Sequence, residues 1–237
     1  MKVISCILCL FLGFFSANAL AQITVSRSVI EFSPTEKLQD IEILNTGDYK
    51  IYLDMSLAEI QNPESANPVR QELTDPRVAP VLVSPRQMLV LPGQRKRLRI
   101  IMREAATEQD RIFRLTVKPY TGKLNIEQSA SNEKASAIKV LVGYDLLLIS
   151  RPESIQPDVT TVRTDNSIKF VNSGNTNVLL RRIRQCDSAG NDCEELQPNR
   201  LYAGETYQIE LPKPGPAAQY PVEVWRSVSL DNAYDTY

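Results

Sequence analysis

The chain has 237 residues, of which 43% are apolar and 23% charged, the balance of a folded globular protein rather than a disordered or multispanning one. Lysine and arginine total 27 against 28 acidic residues, so there is no basic excess to neutralise phosphates and no sign of a nucleic-acid partner. Histidine is absent, which excludes Ser-His-Asp and Cys-His catalysis and His-ligated zinc.

Residues 1–21 read as a cleaved export signal. Lys2 supplies the charge, Val3–Phe15 an apolar run shorter than the roughly 20 residues of a membrane span, and Ala19-Leu20-Ala21 the small residues of a cleavage site. The mature chain is then expected to begin near Gln22, outside the cytoplasm and without membrane insertion. Cys6 and Cys9 depart with the signal. Cys186 and Cys193 remain, seven positions apart across a turn-rich stretch, and read as a disulfide over a hairpin loop. A redox pair would favour tighter spacing, and two lone thiolates make a poor metal site.

The mature sequence alternates short apolar and β-branched runs with turn clusters. Strands are expected at Ile23–Phe32, Gln39–Leu44, Tyr49–Leu57, Val78–Ser84, Gln87–Leu91, Arg97–Met102, Ile112–Val117 and Ile138–Ile149. Ser33-Pro34, Asn45-Thr46-Gly47 and Pro92-Gly93 break them, and no stretch keeps a helical apolar period for three turns. Glu59–Asp75 and Asn125–Ser136 read as polar connections. Arg151-Pro152 closes the long strand, after which strands restart at Ser167–Asn172, Asn177–Gln185, Thr206–Leu211 and Val222–Ser229. This pattern predicts an all-β protein of two antiparallel sandwiches, 22–150 and 151–237.

Within Arg95–Arg99 the charges alternate with apolar Leu98, Ile100 and Met102 beyond them, the pattern of a solvated strand edge rather than an anion site. The run Ala137–Ile149 is longer than an ordinary strand. Its C-terminal half is apolar on both faces, whereas Ile138, Val140 and Val142 share one face opposite Lys139. Patterning alone leaves two readings: core strand throughout, or an apolar edge kept open to complete the sheet of a partner.

The stretch Pro80–Ile100, in which an apolar strand and a Pro-Gly turn lead into a basic-apolar strand, resembles the first domain of the PapD-like periplasmic pilus-assembly chaperones. Asp110–Pro119 resembles its next strand, the run closing on Arg151-Pro152 its last strand and linker, and Asn172-Ser173-Gly174-Asn175-Thr176 a turn of its second domain. The resemblance implies two immunoglobulin-like β-sandwiches and a non-enzymatic, cofactor-free protein of the periplasm. Such a protein caps pilin subunits by donor-strand complementation and delivers them to an outer-membrane usher; self-association of the free protein through its donor edge is left open by the sequence. It implies donor-strand roles for Ile138, Val140 and Val142, with Tyr144 continuing their face towards the core.

In that family an Arg on the first strand and a Lys on the last anchor the pilin C-terminal carboxylate. Here those positions fall on Val29 and Leu147, which leaves Arg27, Arg99 and Arg114 as anchor candidates, each of which would otherwise be a solvated strand residue. Arg151 matches the linker arginine that joins the two domains through carboxylates, with Glu108 as its candidate partner. A pilin or secreted adhesin would share the sandwich fold and the signal. An enzyme is disfavoured by the lack of His and of any G-x-S-x-G or P-loop motif.

Overall fold

The computed structural model describes residues 22–120 and 141–228 with the backbone of 232–236. These residues contain strands and no helix. Ten strands form the first sandwich: β1 (Ile23–Val25), β2 (Val29–Phe32), β3 (Leu38–Asn45), β4 (Ile51–Gln61), β5 (Val69–Glu72), β6 (Val81–Ser84), β7 (Gln87–Val90), β8 (Arg95–Met102), β9 (Arg111–Tyr120) and β10 (Tyr144–Ser150). One sheet runs β1-β3-β8-β6, the other β2-β10-β9-β4-β5 with β7 also pairing β4. The second sandwich comprises β11 (Val159–Arg163), β12 (Ser167–Asn172), β13 (Val178–Gln185), β14 (Glu194–Glu195), β15 (Asn199–Leu201), β16 (Thr206–Glu210), β17 (Val222–Ser227) and β18 (Asn232–Thr236). Its sheets run β11-β12-β16 and β14-β13-β17-β18, with β15 on β13. The fold is all-β, two immunoglobulin-like sandwiches in series.

Alternation builds each core. In β4, Ile51, Leu53, Met55 and Leu57 point inward, and in β9 Phe113, Leu115 and Val117 meet them. A separate cluster around Ile168, Phe170, Leu180, Ile183 and Val224 fills the second sandwich.

Ile23–Phe32 was expected as one strand and is two. Ile23 and Val25 have odd parity and Ile30 and Phe32 even, so a single straight strand would turn one pair away from the core. Instead β1 pairs antiparallel with β3 in one sheet, and β2 pairs parallel with β10 in the other. The crossing at Ser26-Arg27-Ser28 lets Ile23, Ile30 and Phe32 all reach the same core. The Arg95–Arg99 stretch is likewise not an edge: β8 lies between β3 and β6, and its charged face is solvated while Leu98, Ile100 and Met102 are buried. β5 lies inside the stretch read as a polar connection.

Gly174 lies where the second sandwich meets the linker. A Cβ there would collide with the backbone of Gln156 and Asp158, so a side chain is excluded.

Candidate partner-binding edge and interdomain cleft

The expected thirteen-residue strand is shorter in the described residues. β10 begins at Tyr144, residues 141–143 are irregular, and Ile138 and Val140 lie outside the described residues. The C-terminal half behaves as its two-sided apolar pattern requires. Leu146 and Leu148 enter the main core, and Leu147 and Ile149 face the other way into a small cluster with Ile112.

β9 pairs with the whole of β10, but β2 covers only Leu147–Ser150. Among the described residues no strand pairs with Tyr144–Leu146 on that second side. Val142, 46% exposed, precedes this one-sided edge. Tyr144, read as continuing the donor face towards the core, is committed to its own sandwich: its ring packs on the core and its hydroxyl donates to the Ile23 carbonyl at 2.7 Å.

Asp145 projects from the same edge and is held by Arg70 of β5 at 3.2 Å and by the Thr116 hydroxyl at 2.8 Å, with Arg114 at 3.8 Å. Burial alone would push its carboxyl up, but these donors and cations hold it below the ordinary carboxylate range. Nothing in the sequence pattern singled out Arg70, because its strand is exposed along its full length and carries no apolar alternation.

The three anchor candidates occupy different places. Arg99 lies on the outer face of the first sheet in a two-pronged pair with Asp40, at 2.9 and 3.0 Å, which lowers the Asp40 pKa. Arg114 lies beside Asp145, where Ile60, Pro63, Pro68, Ile112 and Tyr202 line a depression of about 400 Å³. Arg27 lines a larger cleft, about 580 Å³, where the first sandwich meets Leu179, Arg181, Arg200 and Val228 of the second. Its Nη2 donates to Gln39 Oε1 at 3.0 Å and to the Asp40 carbonyl at 2.9 Å.

Val29 and Leu147 are directly opposite each other in the parallel ladder. Val29 and Tyr202 pack against the cluster of Ile112, Leu147 and Ile149, so the second sandwich lays an aromatic ring on this apolar seam.

The sandwiches are joined through Arg151. Its side chain is 3% exposed, and its Nη1 donates to Asp110 Oδ2 at 3.0 Å; Asp110 is itself 4% exposed. Its Nη2 reaches Glu31 at 3.1 Å and the Val228 carbonyl at 2.6 Å. Asp110 also accepts from Thr176 Oγ1 at 3.1 Å, from the Asn177 amide at 2.7 Å and from Asn177 Nδ2. The expected carboxylate partner, Glu108, is corrected: its side chain is exposed, and only its carbonyl takes part, accepting from Asn175 Nδ2 at 3.0 Å. Two positions separate Glu108 from Asp110, and only Asp110, at the mouth of β9, points into the junction. The second sandwich contributes neutral donors rather than a carboxylate.

Cys186 and Cys193 are bonded, with Cα atoms 4.0 Å apart, and tie the end of β13 to β14. Within their loop Asp187 Oδ1 accepts from the amides of Ala189 and Asn191 at 3.1 and 2.8 Å. Among the described residues no three of His, Cys, Asp and Glu converge as metal ligands.

The family model described as "Pili and flagellar-assembly chaperone, PapD N-terminal domain" matches residues 22–156, more than half of the chain. Among curated proteins no relative matches the sequence. Similar solved structures include the Escherichia coli chaperone DraB, at 16% identity and a TM-score of 0.55 over 91% of this chain and 95% of that one. The complex of the Salmonella enterica SafA pilin with the SafB chaperone matches at 16% identity and a TM-score of 0.59, over 93% and 98%. The Acinetobacter baumannii CsuC–CsuE chaperone-tip adhesion subunit pre-assembly complex, from archaic chaperone-usher Csu pili, matches at 10% and 0.61, over 91% and 98%. The shared feature at these identities is the fold.

Proposed function

The chain belongs to the pili and flagellar-assembly chaperones, and on that premise we propose that it caps pilin subunits by donor-strand complementation in the periplasm and passes them to an outer-membrane usher. In this reading residues 1–21 are the cleaved signal, 22–150 bind the pilin and 151–237 form the second domain. Ile138, Val140 and Val142 are the donor side chains.

The observation that carries the reading is the one-sided edge at Tyr144–Leu146, preceded by exposed Val142. Soluble proteins usually blunt such an edge, because unpaired N–H and C=O groups template pairing. An incomplete partner sandwich gains a ladder of main-chain hydrogen bonds from it, and each apolar donor side chain that fills a pocket adds about 1–2 kcal/mol. No nucleotide is needed for such a hand-over, because the partner can exchange a provisional strand for a better-packed one.

The test is co-purification from periplasm. The parent protein is expected to bring down a pilin in stoichiometric amount. Val142→Asp places a carboxylate in an apolar pocket of the partner, so capture should fail while the free protein melts as before, since the side chain is already half in solvent. A Val142→Asp protein that still holds its pilin would remove the donor-strand reading.

A further inference from the structure

We infer that Arg70 is a positioning residue for the partner-binding edge: carried on β5 as on a strap, it reaches across the sheet face to hold Asp145, and with it the one-sided start of β10, in place for a partner strand. This rests on the donor-strand reading of that edge.

The start of β10 is where the strand is hardest to hold. β9 pairs with Tyr144–Leu146 from one side, β2 does not reach these residues, and the backbone before them is irregular. A ladder on one side leaves a strand free to peel away at its first residues. Side chains on both faces make up the deficit. Inward, Leu146 is buried in the core and the Tyr144 hydroxyl donates to the Ile23 carbonyl. Asp145 is the one of the three that faces outward, and it is the residue that Arg70 grips.

β5 has no apolar reason to lie where it does. All four of its residues are exposed, and its ladder with β4 is four pairs long. β4 and β9 separate it from β10 in the sheet, so the Arg70 side chain reaches over both, beside the depression lined by Ile60 and Ile112. Every nitrogen of the guanidinium is engaged. Nε donates to Glu72 Oε1 at 3.0 Å, which orients the fork from its own strand. Nη1 and Nη2 donate to the two Asp145 carboxylate oxygens, each at 3.2 Å. Nη2 also donates to Thr116 Oγ1 at 2.7 Å. Thr116 stands directly opposite Asp145 in the β9–β10 ladder and donates to its Oδ1 at 2.8 Å. Arg114 adds a second cation at 3.8 Å. β5, β9 and β10 are thereby cross-tied on one face, and a two-pronged fork resists rotation of the carboxylate as a point charge does not.

Both side chains of the clamp remain partly in water, 37% exposed for Arg70 and 43% for Asp145, so the pair adds little to global stability. Its effect is local. It keeps the first residues of β10 straight and their open N–H and C=O groups aligned, so that a partner strand can pair without first ordering them.

The experiment uses the full chain, free and loaded with its co-purifying pilin. Hydrogen exchange over residues 144–147 is followed in the free protein, and pilin release is followed by transfer to an excess of differently tagged parent protein. Arg70→Gln and Asp145→Asn should each speed both exchange and release about three- to tenfold, with melting temperatures within about 3 °C of the parent. The double variant should be no faster than either single one, because both remove the same contact. Arg70→Lys, which keeps the charge but not the fork, should fall between parent and Arg70→Gln. Arg77→Gln, which breaks an exposed two-pronged pair with Asp75 beyond β5, should alter neither rate. Unaltered exchange over 144–147 would overturn the inference, as would faster exchange with unchanged release, or multiplied effects in the double variant. So would the same changes in Arg77→Gln, or a melting temperature lowered far enough to show that Arg70 holds the whole sandwich. Failure of the donor-strand reading is seen separately, in Val142→Asp retaining pilin, and does not alter the exchange measured on the free protein.

Discussion

Removing the Asp110 carboxylate tests whether the junction is a buried, mutually dependent network. Asp110 Oδ2 lies 3.0 Å from Arg151 Nη1, with both side chains almost wholly excluded from water. At an effective dielectric constant of about 20 their gross attraction is about 5 kcal/mol, most of it offset by the desolvation of both ions. The network therefore adds little net stability as a whole, yet breaking it from one side is costly. In Asp110→Ala the Arg151 guanidinium stays buried with Glu31 as its remaining carboxylate, and Thr176 Oγ1, the Asn177 amide and Asn177 Nδ2 all lose an acceptor. The expected cost is about 3–5 kcal/mol. Trp225, the single tryptophan, stands on β17 in the second sandwich, so its fluorescence reports that sandwich while the substitution is in the first. Urea unfolding followed at Trp225 should shift to a clearly lower midpoint. Asp110→Asn, which retains an acceptor and the shape, should cost less. A stability for Asp110→Ala within about 1 kcal/mol of the parent would refute the reasoning.

Replacing Cys186 and Cys193 by Ser opens a short loop, and the chain-entropy relation gives a loss of about 2–3 kcal/mol; a melting temperature insensitive to the change would contradict it. Tyr144→Phe removes the hydroxyl that holds the Ile23 carbonyl and should cost about 1 kcal/mol, with faster hydrogen exchange in β1; unaltered exchange there would show that the bond does not secure β1. The Asp145 carboxyl is held below its usual range, so its stabilising contribution is present above about pH 4 and is lost as pH falls through its depressed folded value. Asp145→Asn should therefore flatten the acid limb of the stability curve, and a variant that loses as much stability as the parent between neutral pH and pH 3 would exclude this role.

What the sequence by itself determined was the local pattern and the class of architecture. Alternation in β4, β9 and β12, turn chemistry at Pro92-Gly93 and Asn172–Thr176, and the Cys186–Cys193 spacing are short-range properties, and short-range physics decides them. Arg151 was legible as a junction residue because the resemblance carries it. Other features depend on where distant strands come to rest. The crossing at Ser26–Ser28 follows from the need to place residues of opposite parity in one core. β5 has no apolar face, so only its ladder with β4 makes it a strand. Asp110 rather than Glu108 serves Arg151 because two residues of offset at the mouth of β9 decide which side chain enters the junction. Arg200 lies far from Arg27 in the chain and Tyr202 far from Leu147, and the packing of one sandwich against the other brings Arg200 to the cleft that Arg27 lines and Tyr202 to the apolar seam of Leu147. Burial, pairing and the sign of the local field there are sums over both sandwiches, and no window of sequence contains them.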